Sequence, residues 1–146
     1  MQIDHDAAVL VVDGSKMLMF RNEGDAEFPN LKVEEMDEIE NPPTREQATH
    51  PAGRASALMG KQQDSVEQTD FHQQEEDRFA ADAAAMLKRR ALANAFDKLI
   101  VVAPPRTLGE LRKHYHKTVE DRLVGEVAKD LAGHPIEEIE RILAGA

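Results

Sequence analysis

The residue whose setting most invites chemistry is Arg106. It follows Leu99–Ala103, an unbroken apolar run, and a break at Pro104-Pro105, and it precedes Thr107 and Glu110 at capping-box spacing. A short run with no polar alternation reads as a strand buried on both faces of a helix-covered sheet. The two prolines end it, because neither can donate to a ladder, and a helix is expected to begin at Thr107. Open α/β sheets take ligands at the carboxyl ends of their strands. Free N–H groups in a helix's first turn attract anions. Arg106 and Thr107 are therefore a candidate site for a phosphate or carboxylate. The alternative for Arg106 is an ion pair with one of the chain's surplus acids.

A second concentration of basic residues lies at Arg45, His50, Arg54 and Lys61, where the only acids before Glu67 are Glu46 and Asp64. Arg45 closes Asn41-Pro-Pro-Thr-Arg45, a rigid turn that would present its side chain, although the turn alone accounts for the prolines. Arg45, Arg54 and Lys61 are candidate phosphate contacts, and a solvated flexible loop is the plainer reading. His72 and Glu76 stand four apart, with Asp70 and Glu75 nearby. Metal motifs on a helix usually supply a second histidine, so an acidic helix start explains these residues more simply. His114 and His116, two apart, diverge on a helix. Ser15, Ser56 and Ser65 lack a nucleophile-elbow setting. Neither a phosphate loop nor a dinucleotide fingerprint is present. Asp13 is explained by its Asp-Gly turn. No catalytic residue, metal or cofactor is expected.

The remainder of the chain must position these groups. Its 146 residues suffice for one domain with a real core, which is expected to span 1–146. Five Phe, one Tyr and no Trp leave that core to Leu, Val, Ile, Met and Ala. The 18 Lys and Arg against 28 Asp and Glu give a formal charge of −10. This charge disfavours non-specific binding to DNA or an anionic membrane. It leaves RNA open, because a local basic patch can act on an acidic protein. The absence of Cys removes disulfides, thiolate metal sites and a Cys nucleophile. The amino terminus lacks signal-peptide features, and the longest apolar run is far too short to span a bilayer. A cytoplasmic location is expected.

Ala7–Val12 is a second buried-strand run, and Asp13-Gly14 is a hairpin signal leading to a strand over Lys16–Arg21. Leu31–Ile39 reads as a third strand whose alternation breaks at Glu34-Glu35, which suits an edge strand with a bulge. From about 40 to 69 the periodicity vanishes, and a loop is expected there. Asp70 then caps a helix running to about Asn94, with Phe79, Ala83, Met86, Leu87 and Ala91 on one face. Glu75, Glu76 and Asp77 near its start and Lys88, Arg89 and Arg90 near its end would complement the helix dipole. After the Thr107 helix, Lys117–Asp121 suits a short helical turn. Leu123–Val127 is either a strand or more helix. Pro135 opens a terminal helix with a stripe of Ile136, Ile139, Ile142 and Leu143. The expected fold is α/β: a single three-layer domain with a mixed sheet of about five strands, an antiparallel meander followed by α-β-α-β-α, with helices on its faces.

Val9-Leu-Val-Val-Asp-Gly14, Asn41-Pro-Pro-Thr-Arg45, Val101-Val-Ala-Pro-Pro-Arg106, Lys129-Asp-Leu131 and His134-Pro135 resemble, in order, the motifs of the bacterial host-attachment family. Its members are usually named as required for attachment to host cells. The layout is also similar to the middle domain of archaeal and eukaryotic peptide release factors. In that domain a strand ending in Asp-Gly opens a meander, and a long basic loop leads into a long helix and a buried strand. The release-factor loop carries Gly-Gly-Gln, which assists water attack on peptidyl-tRNA. The corresponding Pro51-Ala-Gly-Arg-Ala-Ser-Ala-Leu-Met-Gly-Lys61 has no such triplet. The resemblance implies a non-enzymatic RNA- or ribosome-binding module without peptidyl-tRNA hydrolysis, which would contact phosphate through Arg45, Arg54, Lys61 and Arg106. The competing readings are a protein–protein adhesion or signalling factor, and a small hydrolase using the strand-end site near Arg106.

Overall fold

A computed structural model describes residues 1–39 and 61–146, with 61–70 described by their backbone. Three strands open the chain: β1 (Ala8–Val12), β2 (Lys16–Asn22) and β3 (Leu31–Glu38). A long helix α1 (Lys61–Leu92) leads to β4 (Leu99–Ala103). Helices α2 (Pro105–Arg112) and α3 (Lys117–Arg122), strand β5 (Leu123–Ala128) and helix α4 (Ile136–Ala144) follow. The sheet order is β3-β2-β1-β4-β5, antiparallel through the meander and parallel for β1-β4 and β4-β5.

Every residue of β1 and β4 is buried, as unbroken apolar runs in central strands require. Alternation then sorts the side chains to two faces. Leu10, Met19, Val101 and their neighbours pack under Phe79, Ala83, Met86, Leu87 and Ala91 of α1, with Leu108 and Leu111 of α2 and Val119 of α3. Val9, Phe20, Ile100 and Val102 pack on the other face under Ile139 and Leu143 of α4. Helices thus cover both faces of one mixed sheet. Ile136 and Ile142 flank the α4 stripe, partly buried.

The meander keeps its shape through two polar devices. Asp13 Oδ1 accepts the backbone N–H groups of Ser15 at 2.8 Å and Lys16 at 2.7 Å, closing the β1-β2 turn. Asn22, at the end of β2, is fully buried. Its amide nitrogen donates to Ile3, Asp4 and Asp25 carbonyls at 2.8, 3.2 and 3.3 Å, and its oxygen accepts from Gly24 at 3.0 Å and Asn30 at 2.8 Å. Asn22 thereby ties the amino-terminal segment to the β2-β3 loop.

The bulge lies where the broken alternation put it. Met19 pairs Glu35 and Phe20 pairs Val33, so Glu34 is the extra residue. Glu34 and Glu35 then both reach cations, Glu34 through Arg21 and Arg90 at 3.2 Å and Glu35 through Arg90 at 2.9 Å. These pairs join the edge strand to β2 and to the end of α1.

Three expectations need correction. The helix expected from Asp70 begins at Lys61, so residues 61–69 are helix and not the end of a loop. Glu75, Glu76 and Asp77 consequently lie well inside it, beyond the first turn where a helix dipole acts. The expected cap at Thr107 is displaced to Pro104, and Pro105 takes the first helical position without any side-chain capping bond. Proline suits that position because its φ is preset and its missing N–H would have had no helical partner. Leu123–Ala128, ambiguous in sequence, is a strand paired in parallel with β4.

Candidate functional site

The parallel pairing of β1 with β4 and of β4 with β5 places their carboxyl ends together. Two successive antiparallel pairings bring the end of β3 to the same side, where Ile39 N–H donates to Ser15 O at 2.7 Å. Pro104, Arg106 and Thr107 follow Ala103 at this end. The described chain leaves the sheet here at Ile39, and α1 returns across it towards the start of β4. Gly14 sits against the flank of α1, where a Cβ would lie 2.8 Å from the Glu76 side chain.

Arg106 is exposed, Thr107 is half-buried, and Leu108 beneath them anchors the first turn of α2 in the core. Among the described residues Arg106 makes no ion pair or side-chain hydrogen bond. Several other arginines are committed. Arg112 grips Glu126 at 2.8 Å, Arg122 holds Phe96 O and Asn94 Oδ1 at 3.0 and 2.8 Å, and Arg90 and Arg21 hold the β3 bulge.

The candidate phosphate contacts lie only partly within the described residues. Helical rise sets Lys61 about 22 Å along the α1 axis from Glu76, and only its backbone is described. Arg45 and Arg54 lie outside the described residues. The candidate site that can be seen is therefore Arg106 with Thr107 at the end of β4. No group of three or more His, Asp or Glu able to hold a metal exists among the described residues.

One cluster escaped the sequence. Glu126 of β5 accepts from Arg112 and, at 3.1 Å, from the Tyr115 hydroxyl. Burial pushes the Tyr115 hydroxyl's pKa well above the ordinary tyrosine value, and the neighbouring Glu126 carboxylate adds to the shift. Glu126 in turn raises the pKa of Arg112. On the same helix, Lys113 and then His114 hold the Glu110 carboxyl below its usual range. His116 caps α3 by accepting from Thr118 N–H at 3.1 Å. Arg112, Tyr115 and Glu126 come from separate elements, and no local signal joins them.

A cleft of about 350 Å³ opens at the opposite end of the sheet, beside the starts of β1 and β4. Arg21 lines it but is spent on Asp6 O at 3.0 Å and Ala95 O, while Lys98 pairs with Asp4. This cleft reads as a braced corner, remote from Arg106. None of the described helices is long and apolar enough to cross a membrane.

An antiparallel meander, a long return helix and two parallel strand pairings give the layout of the release-factor-like domain that the sequence resembles. The sequence matches the model of bacterial archaeo-eukaryotic release factor family 12 over residues 6–143, and the chain belongs to that family. No curated protein matches it.

Proposed function

We infer that this chain is a non-enzymatic module that binds the ribosome or another structured RNA through the carboxyl end of its sheet. The observation that carries this reading is Arg106, an exposed cation with no internal partner among the described residues, at the strand end where open α/β sheets take ligands. Family membership supports translation as the setting. The segment bearing Arg45 and Arg54 departs from the same end of the sheet, after Ile39. The absence of any Gly-Gly pair from the sequence removes the triplet that release factors use in hydrolysis, so binding without peptidyl-tRNA cleavage is the reading adopted. A host-attachment phenotype would then follow indirectly, from a change in translation.

Co-sedimentation with purified ribosomes at low and raised salt tests the proposal, using the wild type beside a variant with Arg45, Arg54 and Arg106 changed to Ala. Salt-sensitive pelleting that the variant loses is expected. No pelleting at either salt would overturn it.

A further inference from the structure

Strand β3 sorts its residues in a way that folding alone does not require. Register places Val33 opposite Phe20 and Met36 opposite Leu18, on the sheet face covered by α4. Glu35 and Asp37 lie opposite Met19 and Met17, on the α1 face. Without the bulge at Glu34, strict alternation would put Glu35 and Asp37 beside Val33. The bulge substitutes Met36, so Val33 and Met36 stand next to each other on the α4-side face, with Glu38 beyond them at the strand's end. Yet α4 does not cover that face: Val33 is 46% exposed and Met36 59%. Among the described residues nothing pairs with the outer edge of β3.

We propose that the outer edge of β3 docks an extended segment of a partner protein in which Lys or Arg alternates with aliphatic residues, added as a sixth strand. Its aliphatic side chains would cover Val33 and Met36, and its basic side chains would face Asp37 and, alongside Arg90, Glu35 on the opposite side. Charge selects this occupant. Four of the eight residues of β3 are acidic, and Asp37 and Glu38 have no ion-pair partner among the described residues. A second copy of the chain is a poor occupant, because pairing β3 with β3 would set acidic rows against each other, which destabilises cross-strand pairs.

The probe is a fluorescein-labelled peptide of alternating Lys and Val, with an alternating Glu and Val peptide as control. Binding is read by anisotropy and mapped by backbone amide shifts on the full chain. The Lys peptide should bind and shift the β3 amides, and the Glu peptide should not bind. The deciding variants are Val33→Asp and Met36→Asp. Each makes the protein more acidic, so general attraction to a negative surface would tighten binding, whereas loss of the apolar contact should weaken it by about fivefold. Both sites are exposed, so the fold should survive, with circular dichroism as the check. Absent binding, or binding unchanged or tightened by these variants, overturns the proposal.

Discussion

Asn22 offers the sharpest test of how the meander is held. Its amide makes five hydrogen bonds from a fully buried position, three as donor and two as acceptor. Asn22→Ala would strand the N–H groups of Gly24 and Asn30 and the carbonyl of Ile3, and leave a void. A buried group left without its partner costs about 1–3 kcal/mol, and the longer bonds at 3.2 and 3.3 Å add little. About 4 kcal/mol is expected for the variant, a large share of the 5–15 kcal/mol typical of a domain. Asn22→Asp is more discriminating, because it changes a single group. A carboxylate there would face three carbonyl oxygens with no proton to donate, so its pKa in the fold should rise above the ordinary value of about 3.9. A raised folded-state pKa gives stability that is present below the unfolded pKa and lost as pH rises through the folded one. Urea denaturation from pH 3.5 to 7.5 should therefore show Asn22→Asp falling away from the wild type as pH rises, and recovering at the acid end. Loss of less than about 1 kcal/mol in Asn22→Ala, or a pH-independent gap for Asn22→Asp, would refute the reasoning.

Other perturbations follow from the same geometry. Gly24→Ala should cost about 3 kcal/mol, because its Cβ would fall 2.2 Å from the Phe28 carbonyl oxygen, while Gly14→Ala should cost less than about 1 kcal/mol because only the flexible Glu76 side chain must move. Comparing the two urea midpoints checks both values. Tyr115 is the only tyrosine, so tyrosinate absorbance reports it alone. Its folded pKa is raised, so the stability it contributes is complete below the unfolded value near 10 and is lost as pH climbs beyond it; ionisation should coincide with unfolding, and Tyr115→Phe should lack that alkaline component. Leu10→Ala, at a fully buried position in β1, should cost about 2–5 kcal/mol in the same denaturation assay.

Much of this fold could be read from the chain because burial writes itself into composition. Strands β1 and β4 are unbroken apolar runs because both faces are covered, and α4 shows its stripe because one side meets the sheet. The Glu34-Glu35 break likewise signalled a real bulge, since alternation fails only where pairing does. The missed features share a different cause. Residues 61–69 are helical without an apolar face, so periodicity was silent there. Thr107 carries a capping signature, but Pro105 occupies the position that decides the start. Asn22 looks like any turn residue, because its burial is imposed by Ile3 and Asp4 nearly twenty positions away in the chain. The joining of Tyr115, Arg112 and Glu126 depends on the β4-β5 pairing, which an edge strand with a mixed pattern does not announce. For the candidate site, the strand end and Arg106 were legible because a proline pair punctuates them. The helical setting of Lys61 was not, because it depends on where α1 begins.

The most direct test of the account is the salt dependence of binding to purified ribosomes for the wild type and Arg106→Ala. The account predicts binding that falls steeply with salt, and a variant whose slope of log affinity against log salt is reduced by about one, the signature of one lost phosphate contact. Binding that ignores salt, or a variant indistinguishable from the wild type, would contradict it.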